Sequence, residues 1–268
     1  MTTIVHETRD QVMYVTLDGA DTMNSLSPVT IEGLDAALEA AEADTSLRAV
    51  VITGAGDKAF SVGMDITFLG QCFDDSQGTF VPFIRSYHRV LQRIEALPVP
   101  VVARVNGLAR AGGFELILAC DFVIAADDAK VGDIHVQFGM PPGAGASQRA
   151  PRKLGDQKAK ALMLTSLWLD GPTMVSWGLA LASAPRAELD AEVEKLLASV
   201  RGKSRPAIAI TKAAINSAQE LTQDQGLRYE LELFTLLHEQ VPDAREGYQA
   251  FVDKRTPVWG DADVSTLR

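Results

Sequence analysis

Cysteine is scarce: Cys72 and Cys120 are the only two in 268 residues, far apart, with no CxxC partner and no Cys/His cluster at ligand spacing. That excludes a disulfide framework and a zinc site, and both thiols read as buried or idle. Also missing is any apolar run approaching the roughly eighteen residues of a membrane helix. The opening segment, Met1 to Asp10, alternates polar and charged residues without an apolar h-region, so a soluble, cytoplasmic chain is expected. Positive charge is in short supply, with 25 Lys and Arg against 35 Asp and Glu and a formal net charge of −10. Nucleic acid and anionic membranes repel such a surface unless its basic residues are gathered in one place, so neither is expected as a partner. A small polyanion needs only a local cluster. Arg149, Arg152, Lys153, Lys158 and Lys160 form one, and Lys254 with Arg255 another, although such runs are commonly solvated helix faces.

With 47% hydrophobic residues the chain can bury a sizeable core. No repeat period or low-complexity tract breaks it. Short β-rich runs alternate with amphipathic stretches over the first two thirds, which is the α/β pattern. Val12 to Leu17 reads as a strand; Ser27 and Pro28 then supply an N-cap and a first-turn proline for a helix to about Asp44, with Ile31, Leu34, Leu38 and Ala41 on one stripe. Ala49 to Thr53 is a strand, followed by a glycine-containing loop through Asp65. Phe83, Tyr87, Val90, Leu91 and Ile94 recur at helical spacing until Pro98 and Pro100. Val101 to Val105 and Phe122 to Ala126 read as buried strands, with a short buried helix from Gly112 to Cys120 between them. The last third reads almost entirely helical, punctuated at Gly171, Pro185, Pro206 and Pro242. A boundary near residue 200 separates a core, 1–200, from a helical region, 201–268.

Three segments carry chemistry. In Lys58-Ala59-Phe60-Ser61-Val62-Gly63-Met64-Asp65-Ile66, Gly63 permits a positive φ that can leave the Met64 amide pointing outward. In Val105-Asn106-Gly107-Leu108-Ala109-Arg110-Ala111-Gly112-Gly113-Phe114-Glu115-Leu116, a helix opens after a buried strand. Its exposed N–H groups suit the Gly112 amide to a developing oxyanion, and Glu115 follows on the same face about one turn in. Glu115 is equally well placed simply to favour its own helix dipole. The third segment, from Gly132 through Asp133 and His135 to Pro142-Gly143-Ala144-Gly145, is too rich in glycine and proline for a helix and should line something. His135 alone would read as a structural hydrogen-bonder. A competing signal, Gly54-Ala55-Gly56-Asp57-Lys58-Ala59 after a strand, has the outline of a dinucleotide fingerprint. It opens no helix, and no second strand ending in an acid follows at the expected distance.

In this order and at these separations the three segments resemble the crotonase, or enoyl-CoA hydratase/isomerase, superfamily, over about Val12 to Gly260. Phe60 to Asp65 is similar to the family's first oxyanion loop and Asn106 to Glu115 to its second. Pro142 to Gly145 with Gln148-Arg149, Trp177-Gly178-Leu179, and Glu246-Gly247 through Phe251, Lys254, Arg255 and Pro257 match further family positions. The resemblance implies a spiral of ββα units with a helical C-terminal trimerisation region, assembled as a homotrimer or a dimer of trimers. It implies an acyl-CoA thioester as substrate, no cofactor beyond that coenzyme A, and no metal. Met64 and Gly112 become the oxyanion amides. The stretch Ser61, Met64, Asp65, Ile66 and Thr67 is implied to meet substrate, and Lys254 to approach a CoA phosphate.

The implied reaction is syn addition of water to a 2-enoyl-CoA through an enolate held by those amides. Family hydratases use two glutamates. Here Glu115 falls on the first, while counting back from the Pro-Gly-Ala-Gly turn puts His135 on the second, with Asp133 as the fallback acid. An imidazole can still give or take a proton, so a Glu115/His135 pair remains competent for hydration. Double-bond migration or thioester hydrolysis through Glu115, or acyl-CoA binding without turnover, are the alternatives. Met23 also stands where the family carries a basic residue before Asn24.

Overall fold

The computed structural model describes residues 1–260. β1 (Thr3–Arg9) and β2 (Val12–Asp18) form an antiparallel hairpin whose turn, Asp10 and Gln11, is left-handed. α1 (Pro28–Ala43) begins as its sequence predicts. Ser27 and Thr30 close a capping box, Pro28 takes the first helical position, and Ile31, Leu34, Leu38 and Ala41 are buried. From there the chain winds in turns of strand, strand and helix. β3 (Ala49–Gly54) and β4 (Ala59–Ser61) lead to α2 (Ile66–Asp74) and α3 (Val81–Ala96). β5 (Val101–Val105) and β6 (Leu108–Arg110) lead to α4 (Gly112–Ala119). β7 (Phe122–Ala126) and β8 (Val131–Gly132) lead, after a long loop, to α5 (Ala146–Leu154), α6 (Asp156–Thr165) and α7 (Gly171–Trp177). β9 (Ala182–Ala184) and α8 (Leu189–Arg201) close the core, and α9 (Arg205–Ser217), α10 (Gln223–Gln240) and α11 (Asp243–Asp253) complete the described chain.

Each turn contributes one strand to each of two sheets. The six-stranded sheet runs β1-β2-β3-β5-β7-β9 and is parallel from β2 onward; the smaller sheet runs β4-β6-β8, all parallel. Val50, Val51, Ile52, Val101, Val102 and Ala103 are buried almost completely. Strands covered on both faces read as unbroken apolar runs, which is why β3, β5 and β7 were legible. The smaller sheet carries the consequence for function. β4 ends at Ser61, β6 at Arg110 and β8 at Gly132, so the loops that follow leave neighbouring strands at the same edge. Those loops are the three segments singled out above.

The strands that the sequence pattern does not disclose are short or exposed. β1 has an almost fully exposed burial pattern because it is an edge strand paired only with β2. The expected loop from Gly54 through Asp65 contains β4, and the expected loop after Val131 begins with β8 and includes a 3-10 turn at His135–Phe138. The last third is not wholly helical, since Ala182–Ala184 adds a strand beside β7. The main hydrophobic cluster ends at Leu197 in α8, and a separate one centres on Ile210, Leu233 and Val241. Lys212 of α9 ties the two regions together, its Nζ donating to Asp121 at 2.6 Å, Ile94 O at 3.1 Å and Val99 O at 3.2 Å. Residues 261–268 of the expected helical region lie outside the described residues. Among the described residues no helix is long and apolar enough to cross a membrane.

Two buried asparagines hold the strand-to-strand link at 54–59. Asn106 Nδ2 donates to the carbonyls of Gly54, Gly56 and Ala59 at 3.0, 2.6 and 3.2 Å. Asn24 Nδ2 donates to Ala55 O at 3.0 Å and Ala59 O at 2.7 Å. The glycines here serve this packing: a Cβ on Gly107 would lie 2.5 Å from Lys58 O. The glycine pattern at 54–59 therefore joins β3 to β4 and opens no helix. Replacing Asn106 by Ala strands buried carbonyls without donors, and should lower stability by about 2–4 kcal/mol. The measurement is a urea unfolding midpoint, with the slope unchanged; an unaltered midpoint would show that the clamp contributes nothing.

Candidate active site

The first loop is anchored from beneath. Ser61 is fully buried, its hydroxyl donating to Asn24 O at 2.7 Å and accepting from Gly63 N at 3.3 Å. Gly63 takes φ +85°. Leu26 N donates to Gly63 O and Asp65 N donates to Leu26 O, both at 2.8 Å, so the chain passes Met64 with its flanking peptides pinned. Asp65 caps α2, its Oδ1 accepting from Thr67 N and Phe68 N at 3.0 Å each. Ile66 and Thr67 project into the open, Ile66 being 78% exposed.

The second loop meets the first almost without a gap. A Cβ on Gly63 would stand 2.9 Å from Gly112 N, and one on Gly112 would stand 3.4 Å from the Gly63 Cα. Ala111, immediately before, adopts φ 48° and ψ −119°, a conformation rare for any residue with a side chain. The Tyr87 hydroxyl donates to Gly112 O at 2.6 Å; burial and the nearby Glu115 push its titration far upward, so the donor keeps its proton. Among the described residues the amides of Met64 and Gly112 have no acceptor. Two adjacent free donors, one at a helix N-terminus, can hold an oxygen that gains negative charge.

Glu115, one turn into α4, is 2% exposed. Its Oε1 accepts from Ala144 N at 2.6 Å and Ala146 N at 3.2 Å, both in the turn that follows the third loop. Burial drives its pKa up; the charge of His135 and the two amides pull back, and the balance lifts it to about 6. Arg149 braces the turn from behind, donating to Ala144 O at 3.0 Å and to Glu95 through Nε at 2.6 Å and Nη2 at 2.9 Å. His135 donates from Nδ1 to Asp133 Oδ1 at 2.9 Å. Burial of the ring opposes its charged form, but the hydrogen bond and charge of Asp133, aided by Glu115, outweigh that and raise its pKa above 6.5. Carboxyl, imidazole and the Gly112 amide thus gather at the edge of the smaller sheet.

The predicted residues do not all join this cluster. Met64, Gly112, Glu115 and His135 do, with Asp65, Ile66 and Thr67 on the outer side of the first loop. Ser61 serves the loop from inside. Lys254 is exposed at the left-handed C-cap of α11, and no contact among the described residues links it to the cluster. The basic run at 149–160 is spent internally. Besides Arg149, Lys153 donates to Cys120 O, Lys158 to Trp177 O and Lys160 to Asp156. A groove of ≈ 1390 Å³ between the core and α9 reaches Gly145 and Arg149 but not Met64, Gly112, Glu115 or His135. Sequence reasoning missed Tyr87 as the brace of the Gly112 peptide, since its helical spacing marks it only as core.

Comparison with known proteins agrees with the geometry. Residues 7–262 match the family model described as Enoyl-CoA hydratase/isomerase. A probable enoyl-CoA hydratase of Rhizobium meliloti is 36% identical over 253 residues, covering 94% of this chain and 96% of that protein. A crotonyl-CoA hydratase of Syntrophomonas wolfei is 33% identical over 252 residues, covering 94% and 95%. The crystal structure of an enoyl-CoA hydratase from Bacillus anthracis superposes with a TM-score of 0.90 at 30% identity, covering 97% of this chain and all of that one, 100%. With the family model spanning nearly the whole chain and the fold shared along its length, the chain belongs to the enoyl-CoA hydratase/isomerase family of the crotonase superfamily.

Proposed function

We propose that this protein adds water in the syn sense across the double bond of a 2-enoyl-CoA thioester, with Glu115 as base and His135 as acid. The observation that carries the reading is the pairing of a carboxyl titrating near 6 with an imidazole of raised pKa beside the free Gly112 amide. The thioester oxygen sits between the Met64 and Gly112 amides. As Glu115 takes a proton from water, the water oxygen bonds Cβ and the π electrons move onto the thioester as an enolate, which the amides hold. Collapse of the enolate takes a proton at Cα from the His135 imidazolium. Exchange through solvent then returns the proton from Glu115 to the imidazole. This chemistry calls on no cofactor beyond the substrate's coenzyme A. In this reading residues 64–67, on the outer side of the first loop, meet the coenzyme, while Lys254 would have to serve from another subunit.

The assembly reading is a homotrimer or a dimer of trimers built by the helical region. Its support is the apolar face left open on α10 and beyond it, where Phe234 is 63% and Phe251 84% exposed, with Leu227 and Leu231 beside them. Equilibrium sedimentation should return three or six chain masses, and Phe234→Glu should shift the distribution to smaller species. A monomeric wild type would refute the assembly.

Turnover is read from the enone thioester absorbance of crotonyl-CoA and longer 2-enoyl-CoAs. Wild type should bleach the band; Glu115→Gln and His135→Ala should each lower kcat by about 10²–10⁴-fold. A wild type that binds CoA esters yet leaves every conjugated substrate intact overturns the hydratase reading in favour of isomerase, hydrolase or binding protein.

The pH profile follows from the two shifts. The base must be ionised, so kcat/KM should rise as pH passes through about 6 and Glu115 loses its proton. The acid must be protonated, so it should fall again at a pH above the ordinary imidazole value, where His135 loses its own. A profile flat between pH 5 and pH 9 would exclude this assignment of roles.

A further inference from the structure

The residue beside the proposed acid has no role in that scheme, yet its surroundings demand one. Asp133 is 0% exposed, and its Oδ2 has no hydrogen-bond partner among the described residues. A buried carboxylate without compensation is strongly unfavourable, and each such orphan in a folded protein calls for an explanation. Its one charge partner among the described residues is the His135 ring, Nδ1 to Oδ1 at 2.9 Å. A carboxylate can only accept, so Nδ1 carries the hydrogen and Nε2 is the ring nitrogen left to exchange a proton. Between the two lies Ile134 at φ 44° and ψ 4°, a left-handed conformation that a β-branched residue rarely takes. The backbone is strained at the point where these side chains meet.

We infer that Asp133 is the positioning residue of His135: it fixes the Nδ1–H tautomer and sets a negative charge directly against the ring. This rests on the reading above, in which His135 is the acid. Glu115 faces the ring from α4, and its charge acts in the same direction as that of Asp133. Helix α6, which packs on the same turn, carries Asp156, Lys158 and Lys160. Lys160 is paired with Asp156 at 2.8 Å and Lys158 donates to Trp177 O at 3.0 Å, so their charges are spent elsewhere. Asp133 touches the ring directly, and the charge of Glu115 acts on it in the same sense. Asp133 donates no proton to substrate; it acts through the ring.

The test is NMR of the imidazole nitrogens in histidine-labelled protein, which has four histidines, with His135 assigned from the signal lost in His135→Ala. In wild type the neutral ring should be the Nδ1–H tautomer. In Asp133→Asn its pKa should drop by about one unit or more. The alkaline limb of kcat/KM should move down with it while KM stays nearly constant. An unchanged ring titration in a folded Asp133→Asn overturns the inference. If that variant does not fold, wild type alone decides: a neutral ring protonated at Nε2 and bare at Nδ1 is incompatible with it. Because the ring signals do not depend on turnover, a wild type with the expected tautomer and titration but no hydration would defeat the hydratase reading and leave the Asp133–His135 coupling established.

Discussion

The loops at Gly63 and Gly112 approach so closely that a Cβ on Gly63 would meet Gly112 N at 2.9 Å and Arg110 O at 3.0 Å, and the rest of the site depends on that approach. Two amides can converge on one oxygen only if their peptides lie side by side, and side chains would hold them apart. Glycine at both positions removes that obstacle, and φ +85° at Gly63 uses a region open chiefly to glycine. Ala111 shows what the arrangement costs, since it keeps its side chain in a sparsely populated conformation immediately before the helix. Ser61 and Tyr87 then hold the neighbouring peptides, the Ser61 hydroxyl accepting from the Gly63 amide and the Tyr87 hydroxyl donating to the Gly112 carbonyl. Backbone donors fixed in this way need no reorganisation when charge develops in front of them.

Around that constraint the titratable groups act on one another's charge. A carboxyl as buried as Glu115 would be driven neutral by desolvation alone. The amides of Ala144 and Ala146 and the adjacent His135 oppose this and leave it near 6, usable as a base close to neutrality. With a second carboxyl opposite, one of the pair would have to be held protonated by like-charge repulsion. An imidazole changes the requirement, because it is an acid near neutral pH with only modest help, and that help comes from Asp133 and Glu115. With histidine at position 135 the site pairs a carboxyl raised to about 6 with an imidazole raised above its ordinary value.

Much of the frame was legible in the sequence. The buried strands Val101–Val105 and Phe122–Ala126 are bounded as read, and the cap of α1 and the start of α4 are where their sequences place them. These elements declare themselves through long apolar runs or cap chemistry. Strands β4, β6 and β8, of two or three residues each, are too short for a period to emerge, and they are the strands that bring the site together. The clamp formed by Asn24 and Asn106 gives no local signal either, because the hydrogen bonds from their Nδ2 atoms span 31 to 52 residues. Glu115 and His135 were found by position along a motif, whereas the Asp133–His135 bond needed the left-handed turn at Ile134, which no propensity suggests for isoleucine.

Parallel pairing explains how three loops so distant in sequence share one site. Each winding of the chain lays one strand beside its predecessor in the smaller sheet, in the same direction, so each ends at the same edge. Neighbouring strands lie about 4.8 Å apart, so loops leaving that edge start within reach of one another whatever their sequences. The frame fixes where Met64, Gly112 and His135 stand but makes different demands on each. Met64 and Gly112 contribute backbone, tied to the glycines that permit the close approach. His135 contributes a side chain from a turn beyond a two-residue strand, held mainly by its own loop. Changing that side chain leaves the paired amides untouched, so the titratable group at this position can vary without disturbing the backbone donors.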